Sequence, residues 1–427
     1  MKKRALMSVF VKDGILELAQ YLKSADWEIL STGGTAKYLT QNGIEVTDVS
    51  SVTNFPECLD GRVKTLHPAI HAGLLARRDN PEHMKTIQDL DINTIDLVCV
   101  NLYPFFEKVQ AGLTFPETVE FIDIGGPTMI REKKKNYQDV IVLTDPADYE
   151  VVIEGLKTGD VPVEVKRYLA GKVFNLTSAY DAAVSRFMLG SENPEENELQ
   201  HYYTMPLEKS QELRYGENAH QKAALYLTAD HKGAFGGMEQ FQGKELSYNN
   251  IRDLDVAWKA VSAYNKFVKN AESVKSDDGS TVNFAGTEGS IFTIALKHNT
   301  PCGAALGKDA LDSYKKTYEC DPVSIFGGII GCSGTIDKAA AEEMVKCFLE
   351  VIVAPDFTEE ALEVFKAKKN LRIIKATVEA TEFFDSMSVD GGLLVQSRDN
   401  QLFEKWNVVT KAKPTQEQID EMAFGMT

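Results

Sequence analysis

The chain has 427 residues, 43% of them hydrophobic and 26% charged, and a formal net charge of −17. That length calls for two or three domains with substantial cores. The acidic excess excludes bulk binding to nucleic acid or to a membrane surface, so an anionic ligand needs local cationic pockets. Six cysteines (Cys58, Cys99, Cys302, Cys320, Cys332, Cys347) form no CxxC pair and read as reduced thiols of a cytoplasmic protein. The basic start Met1-Lys2-Lys3-Arg4 leads into an apolar run that stops at Lys12-Asp13, too short for a signal sequence. No run reaches the ~18 apolar residues of a membrane span.

Ala5 to Val11 reads as a short buried strand, Gly14 to Leu22 as a helix and Trp27 to Leu30 as a second strand. Ser31-Thr32-Gly33-Gly34-Thr35 follows, then a helix from Ala36 to Gln41. A glycine turn between strand and helix offers bare N–H groups and a helix N-terminus to an anion, though it is also an ordinary tight turn. Strands recur at Asp96 to Val100 and Val140 to Leu143, with helices between. The alternation predicts a parallel sheet with covering helices, whose ligand sits beyond the strand C-terminal ends. Polar clusters fall at those ends: Lys12, the Gly-Gly turn, Asn101-Leu102-Tyr103-Pro104, and Asp123-Ile124-Gly125-Gly126-Pro127-Thr128 before a helix with Arg131 and Lys135.

The stretch from Gly61 to Gly73 gathers Arg62, Lys64, Thr65, His67 and His71. Arg62 and Lys64 together read as a receptor for phosphate or carboxylate, against the alternative of a solvated basic loop. His67 and His71 are four apart, as a metal pair would be, but Pro68 is expected to break the helix that would align them. Asp123 and Lys135 are candidates for an acid–base pair, the alternative being a surface ion pair. Lys133-Lys134-Lys135 is by default a solvated helix face.

Residues 191–200 are acidic and broken by Pro194, which marks a linker. Beyond it, the loops around Arg214-Tyr215-Gly216 and Lys244 to Asn250 mix cations, aromatics and amides. Ile291 to Leu296 reads as a strand that stops in a Pro/Gly turn, Lys297-His298-Asn299-Thr300-Pro301-Cys302-Gly303. The stop lets Lys297 and His298 share one site, His298 as a base, although a histidine capping a strand fits too. A zinc deaminase is excluded, because the H-x-E and P-C-x-x-C ligands are missing. Asp321 to Gly328 opens another strand, and Glu350 heads a strand to Pro355. Near the end, Thr415 and Gln418 form a capping box for a helix with the stripe Ile419, Met422, Ala423, Met426, and no partner element is evident.

Taken in order, Ser8-Val9…Lys12, Thr32-Gly33-Gly34-Thr35, Gly61 to Pro68, Asn101 to Pro104 and Asp123 to Gly126 resemble a bifunctional purine-biosynthesis family. That family joins an IMP cyclohydrolase to an aminoimidazole-carboxamide ribonucleotide (AICAR) transformylase, and the later loops match its transformylase half. The resemblance implies an α/β protein: a methylglyoxal-synthase-like parallel sheet with covering helices over 1–190, then a cytidine-deaminase-like α/β domain over 201–427. The first deaminase-like subdomain would run to about 390, with the second only begun and the polypeptide truncated at its C-terminus. The implied catalytic residues are Lys135 as proton donor or acceptor, with Lys64, Tyr103 and Asp123 polarising the formyl and carboxamide groups. In the second domain they are Lys297 for the oxyanion and His298 as base. Nucleotide binding would fall to Ser8, Lys12, Thr32, Gly33, Gly34, Thr35, Arg62, Thr65, Asn101, Ile124 and Gly125, and, for AICAR, to Arg214, Tyr215, Asn250, Gly327 and Glu350. Formyl-tetrahydrofolate is the implied co-substrate, no metal is needed, and the implied assembly is a homodimer sharing its second site.

Two departures matter. Phe10 and Val11 stand where the family has a hydroxyl and a carboxylate, which puts a phosphate or ribose hydrogen bond in question. The chain also stops before the family's folate-binding end, so cyclisation is expected intact and formyl transfer impaired. Rival expectations are a nucleotide-sensing module and an inactive dimerising remnant.

Overall fold

The computed structural model describes residues 2–59, 62–103, 105–132, 136–190, 199–228, 233–268, 274–275, 281–282, 290–378, 384–399 and 407–426. Lys135, and most of the expected linker (191–198), lie outside them. The chain forms two compact units, one reaching residue 190 and taking in 199–206, the other beginning at Leu207.

The first unit is built on five parallel strands: β1 (Arg4–Ser8), β2 (Glu28–Ser31), β3 (Thr47–Asp48), β4 (Leu97–Val100) and β5 (Ile141–Leu143), in the order β3-β2-β1-β4-β5. Leu6 pairs with Leu30 on one side and Val98 on the other. Every residue of β4 and β5 is buried, as expected when helices cover both faces. The helix Ile15–Ser24 places Ile15, Leu18, Ala19 and Leu22 inward at helical spacing. Each of the three larger side chains, Ile15, Leu18 and Leu22, contributes about 1.5–3 kcal/mol through burial.

Two boundaries differ from expectation, both at the rim. β1 ends at Ser8, not Val11, because the Thr35 hydroxyl replaces the ladder at the next residue. It accepts from the Val9 amide (3.0 Å) and donates to the Val9 carbonyl (2.9 Å). The second helix begins at Gly33, not Ala36, with Thr32 in the N-cap position. The two glycines are therefore its first turn, and their N–H groups are among the donors a helix leaves unpaired.

The second unit holds a ribbon, β6 (Leu207–Leu213) with β7 (Ala223–Thr228), and then β8 (Glu239–Gln242). Next come a short pair, β9 (Val274–Lys275) with β10 (Thr281–Val282), and β11 (Ile291–Lys297), β12 (Thr300–Gly307), β13 (Ile329–Cys332), β14 (Val351–Ala354) and β15 (Arg372–Lys375). A hairpin, β16 (Phe384–Val389) with β17 (Gly392–Ser397), follows. The main sheet is mixed, in the order β12-β11-β13-β14-β15-β8. Trp258, Tyr264 and Phe292 fill one of its hydrophobic cores, and Tyr314, Ile330 and Phe365 another.

The last helix, Gln416–Met426, has the predicted capping box. It does have a partner: Ile419 and Ala423 are buried in the core around Leu254, Trp258 and Phe292, and Phe424 meets Phe292 edge-on at 5.9 Å. Met422 and Met426 stay exposed, so the apolar stripe is narrower than the sequence indicates. No helix among the described residues is long and apolar enough to cross a membrane.

Candidate active sites

In the first unit, the C-terminal ends of β1, β2 and β4 deliver Ser8, Thr32 and Asn101 to one rim. Segment 62–67 lies across it. A Cβ on Gly33 would sit 3.7 Å from the Lys64 ammonium, and one on Gly125 would sit 3.5 Å from the Thr65 hydroxyl. Lys64 and the buried Thr65 thus meet the N-termini of two helices, Gly33–Gln41 and Gly125–Glu132. Helix N-termini carry partial positive charge, which suits an anion, and at the second of them the Asp123 carboxylate already accepts from the Gly126 amide.

Lys12 folds back over the same rim. Its ammonium donates to the carbonyls of Val9 and Phe10 (3.2 Å to the latter) and to the Thr35 hydroxyl at 3.3 Å. Burial pulls it below the usual lysine range. Lys64 also pairs with Glu57 at 3.2 Å. Arg62 is exposed and ion-paired to Glu120, a link worth only ~0–1 kcal/mol and easily exchanged.

Asp123 is the most constrained acid of this rim. Burial raises it above the ordinary carboxylate range, while the amides of Gly126 and Tyr103 pull the other way. The Gly126 bond is 2.9 Å long, and a Cβ at that glycine would stand 2.4 Å from the carboxylate, so any larger residue displaces Asp123. The Asp123 amide donates to the Tyr180 hydroxyl at 2.7 Å. Tyr180 lies on the long helix Val163–Leu189, and burial pushes its phenol up to about 12.

The two histidines have local structural uses. His67 is the N-cap of the helix Pro68–Leu75, its Nδ1 accepting from the Ala69 amide at 3.2 Å. Pro68 therefore starts that helix instead of breaking it, and His-Pro at N-cap and N1 was the local signal. His71 Nδ1 is 2.5 Å from Glu132 Oε2. Asn101 points at the first loop: it accepts from the amides of Phe10 and Val11 and donates to the Val11 carbonyl. Ile124 is exposed.

In the second unit, register explains the grouping. Leu296 pairs with Ile329, Ile329 with Val351, and Val351 with Arg372. One end of the sheet therefore collects Lys297, Gly327, Glu350 and Arg372. Lys297 donates to the Phe326 carbonyl at 2.9 Å. Asn250, in the first turn of the helix Tyr248–Ala263, donates to Glu350 at 2.8 Å, with Arg372 3.6 Å from the same carboxylate. Gly327 has φ +76°, a conformation glycine alone adopts freely, and its amide donates to the Phe348 carbonyl at 2.7 Å. Arg214 and Tyr215 follow the end of β6. A 3.7 Å ion pair between Glu217 and Arg252 ties their loop to the Asn250 helix.

The turn at Lys297-His298 differs from expectation. Lys297 pairs with Thr300, so His298 and Asn299 are the two central residues of a tight hairpin and Pro301 lies within β12. Both have positive φ, +55° and +60°. Asparagine tolerates this, but a histidine is strained by roughly 1–2 kcal/mol. The Asn299 amide donates to Asp253 Oδ1 at 2.7 Å, tethering the turn to the helix beneath. Asp253 and Tyr180 were missed by sequence reasoning, since neither sits in a motif.

Fold and rims together define an α/β enzyme with anion-accepting surfaces beside groups able to move protons. A family model described as AICARFT/IMPCHase bienzyme matches residues 134–427, and one described as MGS-like domain matches 14–128. The chain is 56% identical over 427 residues to the bifunctional purine biosynthesis protein PurH of Clostridium acetobutylicum, covering all of this chain and 80% of that protein. It is 53% identical, with the same coverage, to the proteins of that name from Clostridium botulinum and Clostridium perfringens. A solved structure titled "Crystal structure of ForH" is 35% identical, covers 44% of this chain and all of its own, and gives a TM-score of 0.40.

The chain belongs to the AICARFT/IMPCHase bienzyme family. It is an enzyme of the last two steps of purine biosynthesis, formyl transfer to AICAR and cyclodehydration of the product to IMP.

Proposed function

We propose that the first unit closes the ring and that the second transfers the formyl group. The reading of the first rests on one observation: two helix N-termini, Lys64 and Thr65 converge beside a carboxyl that burial holds above its usual range. The nucleotide phosphate would lie on Thr32 to Thr35, with Ser8, Lys12 and Arg62, the last leaving Glu120 for it. The carboxamide nitrogen attacks the formyl carbon, a C–N bond forms, and the formyl oxygen leaves as water. Lys64, Tyr103 and Asp123 polarise the two reacting groups, and Lys135 moves the proton. Lys135→Ala is the test: cyclisation lost with an unchanged melting curve is expected, and normal turnover refutes the role.

In the second unit, His298 deprotonates the weakly nucleophilic AICAR amine as it attacks the formyl carbon, Lys297 steadies the oxyanion, and collapse of the adduct breaks the donor's formyl C–N bond, its nitrogen leaving protonated as tetrahydrofolate. Arg214, Tyr215, Asn250, Gly327 and Glu350 hold AICAR. The donor is formyl-tetrahydrofolate, and the protein works as a cytoplasmic homodimer. The convergence of Lys297, Gly327 and Glu350 on one sheet end supports this assignment. Gly327→Ala should weaken AICAR binding at a position that strains any other residue.

A further inference from the structure

Phe10 and Val11 are both close to half exposed at the rim of the first unit (46% and 44%). The loop that carries them is nonetheless fixed. Asn101, just past β4, uses its carbonyl oxygen for both amides and its nitrogen for the Val11 carbonyl at 3.1 Å. Lys12 caps the Val9 and Phe10 carbonyls. With its backbone held, the Phe10 ring lies 5.3 Å from the Tyr103 ring, centroid to centroid, the planes inclined by 57°. Tyr103 is itself 47% exposed, so packing holds it on few sides. Its own amide faces the Asp123 carboxylate.

We infer that Phe10 is a positioning residue for cyclisation: its ring holds the side chain of Tyr103 in the direction from which the phenol meets the reacting groups. This rests on the reading of Tyr103 as a polarising residue. Phe10 is thus an aromatic brace, while Asn101 and Lys12 hold the backbone of its loop. A ring free to turn would present its hydroxyl for only part of the time, which lowers the rate of a bound substrate more than its binding.

The experiment measures steady-state cyclisation of formyl-AICAR by the whole protein, its Phe10→Ser, Phe10→Tyr and Tyr103→Phe variants, and the Phe10→Ser/Tyr103→Phe double variant. Phe10→Ser should lower kcat roughly three- to tenfold, the range an aromatic pair carries, with KM moved less than about twofold. Phe10→Tyr keeps the ring and should keep the parent kcat. In the double variant the serine should add nothing to the loss from Tyr103→Phe, because the two act as one. Melting curves should coincide, since the Phe10 ring is exposed. A parent-like kcat in Phe10→Ser beside a slow Tyr103→Phe overturns the inference and spares the role of Tyr103. A parent-like Tyr103→Phe overturns both. Losses that multiply in the double variant, or a Phe10→Ser loss confined to KM, also overturn it, making Phe10 an independent substrate contact.

Discussion

A single carbon added at Gly126 tests the role of Asp123 most directly. The new Cβ would lie 2.4 Å from Asp123 Oδ2, 3.0 Å from Cγ and 3.1 Å from a Leu102 methyl. Ordinary contact needs about 3.5 Å, so the carboxylate has to withdraw by about 1 Å. That strains the 2.9 Å bond from the Gly126 amide, a charged hydrogen bond of the kind worth about 1.5–3 kcal/mol. Alanine in a helix recovers about 0.5–1 kcal/mol over glycine. The net loss is about 1–2 kcal/mol, a fall of a few degrees in Tm. The rate is hit harder, since an ~1 Å misplacement of a reacting group costs on the order of 100-fold. Gly171→Ala, on the helix Val163–Leu189, is the control: nothing lies within 4 Å of its Cβ, so the rate should stay at the parent value and Tm should not fall. Steady-state cyclisation and thermal denaturation of the two variants give the comparison. If Gly126→Ala cyclises at the parent rate, Asp123 takes no part in the chemistry.

The raised carboxyl of Asp123 gives a pH signature. The folded state binds its proton more tightly than the unfolded state, so this stability is present at low pH and is lost as pH rises from 3.8 upward. Asp123→Asn should gain Tm on the parent as pH climbs through that range; a difference that is flat with pH refutes the burial argument. At the other site, Asp253→Ala removes the acceptor for the Asn299 amide. That amide should exchange with deuterium roughly tenfold faster, about 1.4 kcal/mol, with cyclisation unaffected. Unchanged exchange shows that the turn holds itself.

Legibility in the sequence followed the range of each interaction. β1, β4 and β5 were visible because a parallel strand covered on both faces is an unbroken apolar run. The rim residues were visible because glycines, amides and charges cluster wherever such a run ends. Strand ends were misplaced by up to three residues at Val9 to Val11, where a side chain 26 positions away replaces the ladder. The sequence points to a turn at Pro301 and Gly303, whereas the structure puts it at His298 and Asn299. A two-residue hairpin with histidine at a left-handed position runs against local preference, and Asp253 holds it from 46 positions away. His67 is the opposite case, a cap with a purely local signal. The Phe10–Tyr103 contact joins two loops from different strands, and neither loop's composition announces it.

The bond between Asp123 and Tyr180 has a consequence in time as well as in space. The two residues are 57 positions apart. Sheet, glycine turns and charged loops of the first unit are all made before the helix Val163–Leu189 is translated. A nascent polypeptide halted after β5 would thus carry most of the rim with an unsupported acid at its centre. The last helix of the unit works as a late latch, and a gene cut ahead of residue 163 would yield a sheet with most of its ligands and without its setting.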